Sequence, residues 1–481
     1  MAKEEVSMLL GVSGEITKLE GNMEGIKAFL ADAERMRITD QSVQRWVRKL
    51  KDAMYDTTDI LDLCQLEADK WRESKVGSME EKVPGCSKPL LFCLHNPVFA
   101  HKIGSRIKEL NQRLAEIYKE AHKFKFIDLG SYQDPRMLTD AEHSSKTISE
   151  FDETAIVGKN IERDTKELAQ LLITNNDNHD LKCKKQLPLD QVQIDHLKSM
   201  GMEILKNCDG LPLAIKVIGR LLSTKYPSER EWKAVLNSSA WSVDGLPQEL
   251  DKRLYMSYED LAPPLKQCFL YCTIFPKGTN IPRNVVINMW ISEGFIQPLG
   301  SSHADERLEI AAEYHRGLIK RNLIQPKQGY SLTGYMCTLH DVVRSFAEYM
   351  AREEMLLVRD AQAADSGSGL VRRLSIAATA VSVPDWAVLK KQKSLRALAI
   401  RSNIKFMPSD SLTGFSSLRV LYIVGTDSDG LVDSLCDLKH LRFLYLSNTN
   451  LSRLPDGIHK MKFLEYITLL DCIHYSVGPS S

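Results

Sequence analysis

Four acids fall in step in "KDAMYDTTDILD": Asp52, Asp56, Asp59 and Asp62 recur at intervals of four and three, so a helix sets them on one face. Two chemistries fit such a row, a solvated polar face or a docking surface for a basic partner elsewhere in the chain. Charge patterning alone favours the solvated face. Thiols and imidazoles gather at Cys86, Cys93, His95 and His101, but their spacing matches no zinc-ligand pattern, and they read as unpaired loop side chains. Cys268 and Cys272 lie one helical turn apart and read as core packing. No nucleophile, base and orienting group recur together, so no catalytic residue and no resident metal is expected.

Phosphate chemistry is half present. In "NCDGLPLAIKVIGRLL", Pro212 falls in the first turn of a helix, where its missing N–H costs nothing. A phosphate-gripping loop also needs glycines, so that backbone N–H groups converge on the anion, a lysine, and a Ser or Thr for Mg²⁺, in the pattern G-x-x-x-x-G-K-[ST]. No such run occurs in the 481 residues, nor does an apolar strand ending in paired acids. Only 52 positions separate Gly158 from Gly210, whereas a doubly wound nucleotide domain takes on the order of 100 residues or more. "IERDTKELAQLLI" reads as a helix, and "QVQIDHLKSMGMEILKNC" as another that Asp209 and Gly210 terminate.

Composition bounds the partners. Lys and Arg together number 63 and so do Asp and Glu, so a polyanion is not the expected partner. The N-terminus carries acids where a secretory signal needs basic residues, and "PLLFCL" is far short of the roughly 20 residues that span a bilayer. A reducing, cytoplasmic location follows as the expectation.

Three elements must position these groups. Apolar residues at Leu9, Val12, Ile16, Leu19, Met23, Ile26 and Leu30 form a coiled-coil-like seam. A second helix buries Val43, Trp46, Val47, Leu50, Met54, Ile60 and Leu61, and a third, after the loop from Val76 to Pro97, buries Ile103, Ile107, Leu110, Leu114 and Ile117. Together they predict a bundle of roughly four helices. At the other end, "SLRALAI", "SLRVLYI", "HLRFLYL" and "FLEYITL" align with a period of 23, their leading leucines at Leu395, Leu418, Leu441 and Leu464. The later pairs Leu398 and Ile400, Leu421 and Ile423, Leu444 and Leu446, and Ile467 and Leu469 keep step, and with 43% hydrophobic residues twelve such apolar positions in register would arise by chance in roughly a few cases in 10⁵. Leu374 and Ile376 begin the array one turn earlier.

Such repeats stack their leucines inward and expose the intervening residues on the concave side. Those are Tyr422, Phe443, Tyr445 and Tyr466, with Arg396, Arg419 and Arg442 beside them. Protein interfaces use such anchors, but strands also favour aromatics for their own sake, and both readings stay open. Between the ends, short helices and a β-compatible segment suggest a winged-helix-like module. Its would-be reading helix, "RNVVINMWISEGF", is apolar where base contacts need Arg, Lys or Asn. It reads as a packing module, with DNA binding the less favoured alternative.

These landmarks, in this order, resemble the plant intracellular immune receptors of the coiled-coil, NB-ARC, leucine-rich-repeat (NLR) type, over nearly the whole chain. They are "RWVRKLKDAMYDTTDILD", "FDETAIVGKNIERD", "CDGLPLAIKVIGRLL", "LKQCFLYCTIFPKG", "TLHDVVRSFAEYMA" and the 23-residue repeats. The resemblance implies a multidomain, mainly α chain with α/β repeats. A helical bundle occupies 1–125 and a linker 126–150. The remnant start of a nucleotide-binding domain covers 151–182, a helical subdomain 183–250, a winged-helix-like subdomain 251–365 and truncated leucine-rich repeats 370–481. It implies ADP or ATP as cofactor. Val157 and Gly158 would border the adenine, the Gly210, Leu211 and Pro212 motif would pack on the nucleoside, and His340 would reach the phosphate. The plain alternatives are a turn, a helix start and a histidine satisfied in the first turn of a helix. With the phosphate loop missing, nucleotide binding is expected to be weak or lost, unless another chain or isoform completes the switch. The implied partners are proteins: a pathogen effector, a guarded host protein, or other receptor chains. Oligomerisation through the bundle and association with the plasma-membrane periphery belong to the same expectation.

Overall fold

The computed structural model describes residues 32–75, 96–124, 191–296, 304–358, 371–377, 386–401, 412–425 and 432–472, with short gaps inside these ranges and a few positions before 32. Val157, Gly158 and Gly210, the loop cysteines Cys86 and Cys93, His95, and all of the apolar seam except Leu19 lie outside the described residues.

Helix α1 (Gln41–Lys75) starts where the Asp40 carboxylate accepts the N–H of Ser42 at 2.7 Å and of Val43 at 3.2 Å, a side-chain cap for otherwise orphaned donors. Helix α2 (Pro97–Ala121) starts in the same way, with Asn96 accepting from Phe99 N–H and proline at the first position. The apolar stripes face each other: Val43, Trp46, Val47, Leu50 and Ile60 of α1 against Ile103, Ile107, Leu110, Leu114 and Ile117 of α2. Trp46 donates its indole N–H to the carbonyl of Ile117 at 2.8 Å. Leu19 and Ala33 join this core. Leu61, expected inside, is exposed, because the stripe advances through Ile60 and Cys64 and leaves position 61 on its edge.

The middle continues with α3 (Gln191–Lys206), α4 (Pro212–Ser223), α5 (Glu229–Leu236), α6 (Lys252–Glu259) and α7 (Pro263–Tyr271). Asp209, at φ 49°, ends the run after α3 as the sequence indicates, and Pro212 opens α4. Cys268 and Cys272 are both buried. Strands β1 (Ile281–Pro282), β2 (Gln325–Ser331) and β3 (Gly334–Thr338) form an antiparallel sheet in the order β1-β3-β2. It stands with α8 (Arg283–Glu293), α9 (Ala304–Lys320) and α10 (Asp341–Ala351), a winged-helix arrangement. The apolar helix α8 buries Val285, Val286, Ile287, Met289, Trp290 and Ile291, and Gly294 ends it at φ 85°, a left-handed position where glycine carries no Cβ penalty.

The third body is a six-stranded parallel sheet: β4 (Met355–Val358), β5 (Arg373–Ile376), β6 (Ala397–Arg401), β7 (Val420–Val424), β8 (Phe443–Ser447) and β9 (Tyr466–Leu470), in chain order. Leu398, Leu421, Leu444 and Ile467 stand in one column of partners, so the 23-residue period is the register of the sheet. Leu374 pairs with Leu398. Strand β4 lies inside the stretch assigned to the winged-helix module but pairs with β5, so the parallel sheet begins before residue 370. Too short and weakly patterned to declare itself, β4 is specified by its partner.

Because side chains alternate across a strand, the two faces of this sheet enter different cores. Leu398, Ile400, Leu421, Ile423, Leu444 and Leu446 form one. Ala397, Ala399, Val420, Tyr422, Phe443 and Tyr445 form part of the core built by α3 to α10. Helix α8 therefore packs on β7 and β8 as well as on α9, β1 and β3, and a helix covered so fully cannot enter a DNA groove. Replacing Trp290, which is wholly buried, by alanine is expected to cost about 3–5 kcal/mol, and urea titration followed by circular dichroism should show the lower midpoint.

Candidate functional site

The acids of α1 do not face water. Immediately before each repeat strand stands an equivalent residue, and backbone bonds from Arg396 N to Arg372 O (2.8 Å), Arg419 N to Arg396 O (2.7 Å) and Arg442 N to Arg419 O (2.8 Å) stack these residues into a ladder. Glu465 N continues it to Arg442 O at 2.9 Å, so four arginines end in an acid. Neighbouring rungs are one inter-strand spacing apart, about 4.8 Å, and three steps make about 14 Å. Ten residues of helix rise about 15 Å, so α1, laid across the strands, offers a group to each rung from Asp52 to Asp62.

Arg372 donates to Asp52 at 2.6 Å. Arg396 reaches Asp59 at 3.1 Å, the Tyr55 carbonyl at 3.2 Å and the Thr58 hydroxyl at 3.1 Å. Arg419 donates to Asp62 Oδ2 at 2.6 Å, with Asp59 at 3.5 Å, and Arg442 donates to Asp62 Oδ1 at 2.8 Å. The Tyr55 ring lies between Arg372 and Arg396, each guanidinium 4.8 Å from its centroid. Arg396 and Arg419 are almost completely buried. The solvated-face reading of these acids is thus overturned, because what neutralises them arrives from a segment 320 to 380 residues away. Asp56 alone turns aside, to Arg113 of α2 at 2.6 Å.

The repeat side chains expected to face outward are covered too. Tyr422 and Tyr445 stack at 4.6 Å, and Phe275 of the winged-helix module meets Tyr422 edge-on at 5.5 Å. Phe443 is buried with them, and Tyr466, half-buried, neighbours Phe443 at 6.4 Å. These residues are interface anchors, but the interface lies within the chain.

Sequence reasoning missed a second cluster beside the ladder. Glu354, between α10 and β4, holds Lys51 at 2.9 Å, accepts the Tyr55 hydroxyl at 3.0 Å and pairs with Arg373 at 3.2 Å. Lys51 also pairs with Glu34 at 3.0 Å, and Arg37 with Glu34 at 2.5 Å. Glu353 accepts from Gln44, with Arg37 at 3.9 Å and Arg48 at 4.0 Å. The available signal was "VRRLSI", whose Arg372 occupies the rung position of the later repeats.

Asp59, Asp62 and His440 bring three potential ligand atoms within 4.8 Å of one another. Arg396, Arg419 and Arg442 already hold these carboxylates, and three guanidiniums repel a cation, so the cluster is an ion-pair centre. His101, the described member of the other proposed grouping, is exposed on α2.

The phosphate-contacting candidate, His340, caps α10: its Nδ1 accepts the N–H of Val342 at 3.3 Å. Asp341 stands at the same helix end, paired with Lys277 at 2.9 Å. Leu211 is exposed. Pro212 opens α4, which packs on α6, whereas α10 packs on α7.

A model of the Rx N-terminal domain matches residues 1–95, and one of the disease resistance protein winged-helix domain matches 274–347. The putative disease resistance protein RGA4 of Solanum bulbocastanum is 22% identical over 84% of this chain and 53% of its own length. RGA1 of the same plant is 24% identical over 88% and 55%. The chain belongs to the plant NLR family. RPM1 of Arabidopsis thaliana, a disease resistance protein, is 34% identical over 28% of this NLR chain and 15% of its own length. The chain spans about half the length of the two Solanum relatives. No helix among the described residues is long and apolar enough to cross a membrane.

Electrostatics set how the clasp responds to acid. Burial pushes the Glu34 carboxyl up, but Lys51 and Arg37 outweigh it and hold it down at about 2. Glu354 is likewise held far below the usual carboxylate range by Lys51 and Arg373 against burial, and Asp62 is lowered by His440, Arg419 and Arg442. Asp52 shifts the other way, raised by burial despite Arg372. A depressed folded pKa contributes stability above the unfolded value, about 4.5 for Glu, and loses it as pH falls through the folded value. The bundle should therefore stay docked at neutral pH and detach between about pH 4.5 and 2, seen as an increase in scattering radius with helix content retained.

Proposed function

We propose that this chain serves plant disease resistance through protein contacts rather than catalysis, and that the carboxylate–arginine clasp keeps its N-terminal bundle closed on the repeat sheet. One observation carries this reading: the arginines and aromatics suited to gripping a partner are occupied by the chain's own helix and winged-helix module. A partner acts by competing for, or remodelling, that occupied face. The partner class is protein, namely an effector, a guarded host protein or another receptor chain, and the setting is cytoplasmic or at the membrane periphery. The register of the parallel sheet and its leucine column support reading residues 370–481 as leucine-rich repeats.

The nucleotide that the family implies does not fit the residues present. His340 spends its Nδ1 on its own helix. The Asp341 carboxylate stands where a phosphate would seek the helix dipole. The sequence carries no glycine-rich lysine loop to supply converging amides. The RGA4 match runs over 555 residues yet takes up 84% of this chain, about 404 positions, so roughly 150 aligned positions have no counterpart in it. We read these positions as the missing nucleotide-binding core, and the chain as a contact protein without a nucleotide switch of its own.

Two measurements test this. Calorimetry on the full chain should show no saturable ADP uptake at micromolar concentrations, and a saturable isotherm would return the chain to the nucleotide switches. The double variant Asp59→Lys, Asp62→Lys places like charges against Arg396, Arg419 and Arg442 and should free the bundle, seen as a larger scattering radius at neutral pH with helix content retained. An unchanged radius would reject the clasp.

A further inference from the structure

The described surface holds one cluster that the clasp does not explain. Glu354 is largely buried, its side chain 14% exposed, and sits where three bodies meet. Its carbonyl accepts N–H groups from Arg372 and Arg373 at 3.0 and 2.9 Å, tying the exit of the winged-helix module to the first repeat strand. Its carboxylate takes Lys51 and the Tyr55 hydroxyl from the bundle and Arg373 from the repeat sheet. Arg373 closes the circle by donating to the Tyr55 hydroxyl at 3.1 Å, with its guanidinium 5.3 Å from the ring centroids of both Tyr271 and Phe295. Arg373 takes its ion pair from a carboxylate that another body positions, and Lys51 divides itself between that carboxylate and Glu34 of its own bundle.

The placement of that carboxylate is set by α10. The helix runs from the cap at His340 to Ala351, and Arg352 to Glu354 form the turn into β4. Eleven residues make a rod about 16 Å long, with its buried face, Val343, Phe346, Ala347 and Met350, against the winged-helix core. A tilt of the rod moves both Glu353 and Glu354. A movement of one or two ångströms takes charge-assisted bonds of 2.9 to 3.2 Å out of range. Lys51 would keep Glu34, but Arg373 would lose its one direct ion pair among the described residues, keep only the electrostatic pull of buried Glu293, and stay buried. Isolating a buried charge costs far more than the pair is worth when intact, so the bundle, the helix and the first strand can seat only together.

We propose that Glu354 is a three-way latch that makes docking of the N-terminal bundle on the arginine ladder conditional on the position of helix α10. The latch rests on the reading of the clasp as the closed arrangement and adds its regulation: a partner that shifts the winged-helix module releases the bundle without touching the ladder. Glu353, which holds Gln44, Arg37 and Arg48, is carried by the same turn and moves with it.

Hydrogen–deuterium exchange on the full chain separates the latch from the clasp. Glu354→Gln should speed exchange roughly tenfold or more in three segments at once, 48–56, 341–351 and 371–376. Acceleration confined to 352–358 would overturn the proposal. If that variant does not fold, Lys51→Met decides, because it leaves the Glu354 pair with Arg373 in place. It should loosen 48–56 and also the last turn of α10, and an unchanged α10 would overturn the latch. Arg419→Met removes a clasp rung and no latch group. It should loosen 56–66 and leave α10 unaltered. If 56–66 stays protected, the clasp reading fails while the latch results stand.

Discussion

A column of buried guanidiniums cannot exist without carboxylates placed at matching intervals, and the rest of this fold follows from how that demand is met. Arginine does not lose its proton at any relevant pH, so each rung of the ladder must be neutralised in place. The parallel sheet fixes the interval, about 4.8 Å per strand, and a helix crossing the strands offers about 5.4 Å per turn. The near-match lets Asp52, Asp59 and Asp62 serve four rungs with one straight helix.

The same sheet imposes a second constraint through its alternating faces. Leucines point to a core that the repeats share among themselves, and the residues between them point to a core that belongs to the winged-helix module. Those residues are Ala397, Ala399, Val420 and aromatics, small near the start and large toward β8. Helix α8 and Phe275 fill the space above them. The repeats are thus an interior wall for the module on one side and a charged rail for the bundle at the strand entrances. This explains why α8 is apolar around most of its circumference: it has no solvent face to serve.

Local pattern made much of this legible. The helix stop at Asp209, the proline start at Pro212, the 23-residue register and the apolar character of α8 are consequences of neighbouring residues, and the sequence states them. The acid row was legible as a row but not as a clasp. Whether Asp59 meets water or Arg396 depends on an encounter between segments several hundred positions apart, and no periodicity reports that. Tyr422 and Tyr445 were legible as anchors, but the owner of the surface they grip was not. Glu354 gave no signal at all, since a single acid between a helix and a short strand has neither spacing nor company until Lys51 and Arg373 come to it.

The clasp is strong in its parts and lean in its balance. Arg396, Arg419 and Arg442 divide Asp59 and Asp62 between them, and Glu465 reaches Arg442 only at 3.9 Å. The Nε donors of Arg372, Arg396, Arg419 and Arg442 are buried without a hydrogen-bond partner among the described residues, each at a cost of roughly 1–3 kcal/mol. Burial and the neighbouring Arg396 hold Arg419 down to about 10, the mark of a cation with too little negative charge nearby. A docking surface selected for stability alone would replace such a column with apolar side chains, which pack at least as well without desolvating charge. Keeping the charges gives the surface a property that an apolar seam lacks: water competes well for the acid row and for the ladder, so separation exposes mainly charge, with Tyr55 and Ile38 as the apolar exceptions. Under the reading proposed above, that asymmetry lets a docked form be held firmly and still be undone by a contact elsewhere.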